Sequence, residues 1–135
     1  MVEKSFEAKT ENLSQVLEFL EGELEKYDCD MKIITSLSIV IEELFVNVAL
    51  YAYPGGSGQA TLKLDLIGKD LLMILVDKGI EFNPLSKKDP DITLKAEDRE
   101  IGGLGIFMVK KTMDEMSYER KDNMNILSMK KRIKN

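Results

Sequence analysis

The chain has 135 residues, of which 44% are hydrophobic and 32% are charged, as is typical of a soluble globular domain with its own core. Its formal net charge of −5 argues against a nucleic-acid-binding protein, because neutralising phosphates requires a basic surface. The absence of histidine and the single cysteine exclude imidazole catalysis and an internal disulfide, and they make a structural zinc site a poor fit.

No uncharged apolar run has the roughly 20 residues that a membrane-spanning helix needs, and the first ten residues lack a signal-peptide apolar region. We therefore expect a cytoplasmic protein that binds neither a membrane nor nucleic acid. No linker, repeat or low-complexity segment interrupts the sequence, so a single domain over residues 1–135 is predicted.

The N-terminal part of the chain predicts a strand followed by a helix. Residues Ser5 to Lys9 alternate between apolar and polar, which indicates a short strand. Asn12 and Gln15 have the spacing of a helix-capping pair. The next stretch predicts an amphipathic helix of about four turns, with an apolar face of Leu13, Val16, Leu17, Leu20 and Leu24.

A second helix is predicted to start near Met31, after Asp28 or Asp30 as its cap, and to end at Pro54. Its expected inner face consists of Ile33, Leu37, Ile41, Leu44 and Val48.

Glu43 and Asn47 interrupt this apolar helix and lie on the same side of it, because they are four residues apart. Burying a carboxylate and an amide costs about a few kcal/mol unless polar partners satisfy them. Neighbouring backbone or ordered water could do so, and so could a bound polar ligand such as a metal ion or a phosphate. This pair alone leaves both explanations open.

A hairpin is predicted next, from Ala60–Ile67 and Leu71–Val76 across a tight turn. The second strand is wholly apolar, which places it at the centre of a sheet or buries it on both faces. It ends abruptly in Asp77-Lys78-Gly79.

Residues Ile80 to Ile101 have no periodicity and contain two prolines. An irregular segment of this length is typical of a lid or a binding loop. A glycine cluster, Gly102-Gly103-Leu104-Gly105, then opens a helix expected to carry Ile106, Val109, Met113 and Met116, and a final hairpin joins Ser117–Lys121 to Asn125–Lys131.

Each of these features has a use in binding a nucleotide. An asparagine oxygen is a suitable ligand for Mg²⁺, which keeps most of its waters and substrate phosphates. Asp77 can accept a hydrogen bond from the exocyclic amine of adenine, and Gly79 leaves room for a flat base. Glycines at a helix start expose backbone N–H groups to phosphate oxygens. Each feature is weak alone, and the usual phosphate-loop motif is absent, so only their joint order supports this interpretation.

Three segments carry a more specific resemblance: EELFVNVALYAY at Glu42–Tyr53, DKGIEFNP at Asp77–Pro84, and GGLGIFMVKKTMDEMSY at Gly102–Tyr118. They resemble three boxes of the GHKL (histidine kinase-like) ATPase superfamily. Within it the chain is most similar to the bacterial anti-sigma factor and serine-protein kinase family, the RsbW-like proteins. The resemblance implies an α+β fold, a two-layer α/β sandwich of the Bergerat type whose mixed sheet is covered by helices on one face.

The resemblance also implies roles for individual residues. Asn47 matches the Mg²⁺ ligand, Glu43 the general base that acts on an acceptor serine, and Asp77 the adenine-reading carboxylate, with Gly79 beside the base. The phosphate-side nucleotide-binding positions are Gly103, Leu104, Gly105 and Ile106. Cations of the lid that could neutralise the γ-phosphate are Lys87, Lys88, Lys95 and Arg99.

As the resemblance implies, the cofactors are ATP and Mg²⁺, and the partners are a sigma factor and an anti-sigma-factor antagonist that is phosphorylated on serine. A homodimer is implied as well. Two positions depart from the pattern: Tyr51 stands where many relatives carry histidine, and Glu81 where broader superfamily members carry a second glycine. The alternatives are an ATP-gated partner-switching module with little or no kinase activity, and a detached sensor-kinase domain that phosphorylates histidine.

Overall fold

The computed structural model describes residues 1–86 and 103–135. Two layers make up this part of the chain, an open sheet and the helices packed on one of its faces. In chain order the strands and helices are β1 (Val2–Glu7), α1 (Leu13–Lys26), α2 (Met31–Tyr51), β2 (Gln59–Ile67), β3 (Asp70–Asp77), α3 (Gly103–Thr112), β4 (Glu115–Lys121) and β5 (Met124–Arg132), with short 3₁₀ turns at Thr10–Asn12 and Pro84–Ser86.

The sheet has five strands in the order β1-β2-β3-β5-β4, and each neighbouring pair in it is antiparallel. The two-layer α+β class predicted from the sequence is confirmed, but the expected mixed sheet is wrong for the described strands. The β4–β5 hairpin places β5 between β3 and β4, so β3 and β4, which run in the same direction, do not pair with each other.

The apolar strand β3 lies at the centre of the sheet, which is one of the two arrangements predicted for it. Its residues alternate in burial because successive side chains of a strand point to opposite faces. Leu71, Met73 and Leu75 belong to the core beneath the helices. The β3 side chains on the other face of the sheet, such as Ile74 and Val76, are half-buried and lie outside that core.

Helix α2 supplies the largest helical share of the core. Its buried residues are Ile34, Leu37, Val40, Ile41, Leu44 and Phe45, whereas the predicted inner residues Ile33 and Val48 are only partly buried. The helix is long and apolar enough, by length and composition, to cross a membrane, with a mean hydropathy of 1.9. It lies between α1 and α3 in the helical layer and also packs on the sheet, so it is apolar on more than one side.

Local signals set most element ends within a few residues of the predicted ones. Asp30 caps α2, its carboxylate accepting a hydrogen bond from the Lys32 N–H at 2.9 Å. Asn12 precedes α1 but makes no side-chain cap; its amide instead donates to the Glu7 carbonyl at 2.9 Å. Helix α3 ends at Thr112, so Met116, predicted to lie on that helix, is in β4.

Candidate functional site

A cavity of about 310 Å³ opens between α2, the ends of β3 and β5, and the segment after β3. Its apolar wall includes Leu44, Val48, Leu75, Ile106 and Leu127, and its polar groups include Asn47, Asp77, Tyr118 and Asn125. Ligand cavities commonly measure about 300 to 1,000 Å³ and are mostly apolar with a few placed polar groups. This cavity lies at the lower end, a size that suits a flat ring better than a whole nucleotide.

Three residues predicted from the sequence line this cavity together: Asn47 from α2, Asp77 from the end of β3, and Ile106 from the first turns of α3. They come from segments far apart in the chain. The remaining predicted site residues surround it in two groups, one at Gly79 and one where Glu43 meets α3.

Asp77 is 7% exposed and points a carboxylate into the cavity wall. Its Oδ1 accepts two hydrogen bonds, from the Gly79 N–H and from Asn125 Nδ2, each at 2.9 Å. Two donors on one oxygen fix the orientation of the carboxylate and compensate for its burial.

Gly79 packs directly against the C-terminal end of α2. A Cβ atom on Gly79 would overlap the carbonyl oxygen and Cβ of Ala52, and the next residue, Ile80, donates its N–H to that same carbonyl at 2.9 Å. The lack of a side chain at Gly79 therefore lets the segment after β3 join the end of α2, in addition to any room it leaves for a ligand.

Tyr53 fixes the same junction from the other side. Its hydroxyl donates to the Gln59 carbonyl at 2.5 Å and accepts from the Lys78 N–H at 2.9 Å. Gly58 lies so close to the Tyr53 ring that a Cβ there would overlap it. Tyr51, in contrast, is 62% exposed and borders the cavity.

Glu43 and Asn47 are both half-buried and lie one turn apart on α2, with Asn47 Nδ2 at 3.5 Å from Glu43 Oε1. The Glu43 carboxylate also lies against Gly105 in the first turn of α3, where a Cβ atom would overlap it. The sequence prediction that these side chains share one face of the helix agrees with this geometry. The amide nitrogen of Asn47 faces Glu43, which leaves its carbonyl oxygen on the other side of the amide.

Gly103 and Leu104 are the first two residues of α3, and Ile106 is buried at the cavity wall. Gly102 and the predicted lid beyond Ser86, with its four candidate cations, lie outside the described residues. Residues 80–86 of the predicted lid segment are described; among them Ile80 and Phe82 border the cavity and are 54% and 45% exposed.

Asn125, Tyr118 and Arg120 were not predicted from the sequence as site residues. Asn125 is 6% exposed and, like Asp77, is a buried polar residue. Arg120 donates to the Gly79 carbonyl at 2.9 Å. One signal was available for Asn125: it has the same strand parity as the inward Leu127 and Met129, so a polar residue there needs a polar partner.

Tyr118 donates its hydroxyl proton to Asn125 Oδ1 at 2.5 Å. Burial, and next the charge of Glu81, raise the pKa of the Tyr118 hydroxyl. The group therefore stays protonated at neutral pH and remains a donor.

Among the described residues no cluster of three or more carboxylate, cysteine or histidine side chains could hold a metal ion. A Mg²⁺ ion bound chiefly through substrate phosphates and water needs only one or two protein oxygens. The Asn47 carbonyl oxygen fits that kind of site, and a multidentate protein cage does not.

The fold is similar to that of a solved histidine kinase domain. The histidine kinase domain of a blue-light-activated histidine kinase from Erythrobacter litoralis superposes with a TM-score of 0.55 at 13% identity, over 75% of this chain and 45% of that one. The chain thus spans less than half of that domain, and at this identity the likeness concerns the fold alone.

The sequence gives the family. The model of the histidine kinase-like ATPase domain matches residues 6–131, and the chain belongs to this family. Similar curated proteins include the serine-protein kinase RsbW of Bacillus cereus, 25% identical over 96% of this chain and 83% of the relative. Another is the serine/threonine-protein kinase BtrW of Bordetella bronchiseptica, 24% identical over 70% of this chain and 67% of the relative. The predicted resemblance to RsbW-like members of the superfamily is confirmed.

Proposed function

We propose that this protein is an ATP-binding anti-sigma factor with serine-protein kinase activity. The observation that supports it most is the convergence of Asn47, Asp77 and Ile106, predicted from three separate sequence boxes, on one cavity. The names of the similar RsbW and BtrW proteins support the kinase activity. In this proposal the protein acts in the cytoplasm as one domain.

In this proposal the apolar part of the cavity, which includes Leu44 and Leu127, would hold the adenine ring, and Asp77 would accept a hydrogen bond from its exocyclic amine. Membership of an ATPase family supports the use of ATP. The size of the cavity suits the base, so the triphosphate extends towards α3. There Gly103, Leu104 and Gly105 present the backbone N–H groups of a helix start, which favour anionic oxygens.

Asn47 holds Mg²⁺ through its carbonyl oxygen in this proposal. The ion supplies neutralisation of phosphate charge when it is bound. The hydrogen bond from the Asn47 amide to Glu43 orients the side chain so that the oxygen is available, and the half-buried position restricts its movement.

Glu43 is the general base. It accepts the proton of the acceptor serine hydroxyl while the serine oxygen bonds to the γ-phosphorus and the bond to the β–γ bridging oxygen breaks, leaving ADP. Phosphoryl transfer depends mostly on positioning and charge neutralisation, so the distance of this carboxylate from the phosphate side of the site is important. The contact of Glu43 with Gly105 places it beside the proposed phosphate-binding turn.

The same contact favours one competing function. With its carboxylate turned against α3, Glu43 faces the helix rather than an acceptor, and Tyr51, about two turns further along α2, departs from the family pattern. A partner-switching module that uses ATP to set its conformation, with little or no phosphotransfer, would keep the Glu43 carboxylate against α3 with and without ATP.

The proposed partners are a sigma factor, which the protein sequesters, and an antagonist protein that carries the acceptor serine. We also propose a homodimer. The sheet face opposite the helices supports association, since half-buried Leu72, Ile74, Val76 and Ile126 lie there outside the core.

The test is phosphotransfer from ATP to a co-encoded antagonist, comparing wild type with Glu43→Gln. The amide cannot take the serine proton, so transfer should fall by about 10²- to 10⁴-fold while ATP affinity is kept. Glu42→Gln is the matched control, because Glu42 is the exposed neighbour on the same helix.

Equal transfer by Glu43→Gln and wild type would remove Glu43 from the role of base. No transfer by wild type, together with ATP-dependent exchange of partners in a pull-down, would favour the switching module.

A further inference from the structure

Asn125 uses the whole hydrogen-bonding capacity of its side chain to join four segments of the chain. Nδ2 donates to Asp77 Oδ1 at 2.9 Å and to the Ile80 carbonyl at 2.8 Å. Oδ1 accepts from the Phe82 N–H at 3.2 Å and from the Tyr118 hydroxyl at 2.5 Å. A carboxamide has two donor hydrogens and two acceptor lone pairs, so none remains for a ligand.

The orientation of this amide is determined by its surroundings. Phe82 presents a backbone donor and Ile80 a backbone acceptor, and exchanging the amide oxygen and nitrogen would oppose donor to donor and acceptor to acceptor. Asn125 is 6% exposed, so its amide is satisfied by these protein groups rather than by bulk solvent.

Sheet register makes the contact with Asp77 direct. Asn125 is the cross-strand partner of Asp77 on β3 and of Arg120 on β4, which puts the three side chains in one row across the sheet. Arg120 completes the row by donating to the Gly79 carbonyl at 2.9 Å. The final hairpin thus holds both the carboxylate and the segment after it.

Asp77 Oδ1 is saturated by Gly79 and Asn125, and within the described residues no donor reaches Oδ2. A carboxylate held in this way offers one oxygen to the cavity, and that oxygen only accepts. It favours a ring that donates from an amine and rejects one that presents a carbonyl oxygen.

We infer that Asn125 is a positioning residue that strengthens the preference of the site for a 6-aminopurine, because together with Gly79 it fixes the orientation of the Asp77 carboxylate towards the cavity. This inference rests on the proposed ATP-binding function and adds to it a residue that strengthens base specificity.

The experiment measures the affinities of the full chain for ATP and for purine riboside triphosphate, which lacks the 6-amino group. Wild type should prefer ATP by about 10- to 100-fold, the value of a hydrogen bond to a charged acceptor. Asn125→Ala should lower this ratio by about tenfold, because the Gly79 N–H alone then holds Asp77 Oδ1 and the carboxylate is less well oriented. Ser128→Ala, on the opposite face of the same strand, is the control and should keep the wild-type ratio.

Tyr118→Phe provides a second test if Asn125→Ala does not fold. It removes one bond to Asn125 Oδ1 and keeps the ring, so the ratio should fall about three- to tenfold. Equal loss of affinity for both nucleotides in Asn125→Ala, or an unchanged ratio in Tyr118→Phe, would overturn the inference while the ATP site stands. Failure of wild type to bind either nucleotide would instead overturn the proposed function, and this inference with it.

Discussion

At the scale of single residues, the contact between Gly79 and Ala52 determines whether the candidate adenine-binding site can form. The backbone of α2 ends against Gly79, and the Ile80 N–H bonds to the Ala52 carbonyl. Backbone atoms on both sides leave little room for adjustment, in contrast to a contact with the end of a flexible side chain.

Gly79→Ala should therefore destabilise the fold by about 1 to 3 kcal/mol and weaken ATP binding, because the segment after β3 must move away from α2. Thermal unfolding and calorimetric titration with ATP measure the two effects. Gly56→Ala, at an exposed glycine with no neighbour within 4 Å of the added Cβ, should change stability by less than about 0.5 kcal/mol. Equal stability of both variants would contradict this packing argument.

At the scale of elements, the position of α3 relative to α2 controls Glu43. Gly105 allows the first turn of α3 to lie against the Glu43 carboxylate. Because that carboxylate is the mobile end of a side chain, adding a methyl group there displaces Glu43 more readily than it displaces the helix.

We expect Gly105→Ala to reduce phosphotransfer on the order of 10²-fold, the cost of a misplaced catalytic group. Its melting temperature should change little, since the higher helix propensity of alanine, about 1 kcal/mol, offsets the contact. In Gly22→Ala, on α1 with open space around it, stability should rise and transfer should stay constant. Wild-type transfer by Gly105→Ala would show that Glu43 is not constrained by α3.

The accuracy of the sequence-based predictions differs between elements of the fold. The cap at Asp30, the hairpin turn at Gly68 and the alternation of β2 are local signals, and they predicted their elements well. The antiparallel sheet was missed because strand order depends on where β5 inserts, which no local pattern records.

The lack of a local signal for strand order also explains which site residues could be predicted from the sequence. Asn47 and Asp77 stood out as polar residues within or beside apolar runs. Asn125 and Arg120 act through cross-strand neighbours, and the register that joins them to Asp77 emerges only when the sheet is assembled.

At the scale of the whole molecule, every resolved pKa shift among the described residues is upward. Burial is the largest cause for the pKa values of Tyr27, Cys29, Tyr53 and Tyr118, and a hydrogen bond from Lys26 to Glu23 is the largest for Lys26. In alkali the unfolded chain then loses protons that the folded chain still binds, so the free energy of unfolding falls with rising pH.

The contribution of these tyrosines to stability should be independent of pH below about pH 10, the ordinary tyrosine pKa, and should decline above it through the raised folded values. The double variant Tyr53→Phe, Tyr118→Phe should be less stable at neutral pH, because three hydrogen bonds of the two hydroxyls are lost. Its alkaline decline should be shallower than that of wild type. Denaturant unfolding from pH 8 to 11 measures both, and an equally steep decline would contradict the assignment.

The central claim is that the groove beside Asn47 and Asp77 binds ATP with Mg²⁺. Calorimetric titration of ATP into wild type and Asn47→Ala, each with Mg²⁺ and with the ion chelated, tests it directly. Wild type should bind at least about tenfold more weakly without the ion, and Asn47→Ala should bind equally weakly in both conditions, because its metal ligand is gone. Unchanged, Mg²⁺-dependent affinity in Asn47→Ala would contradict the account.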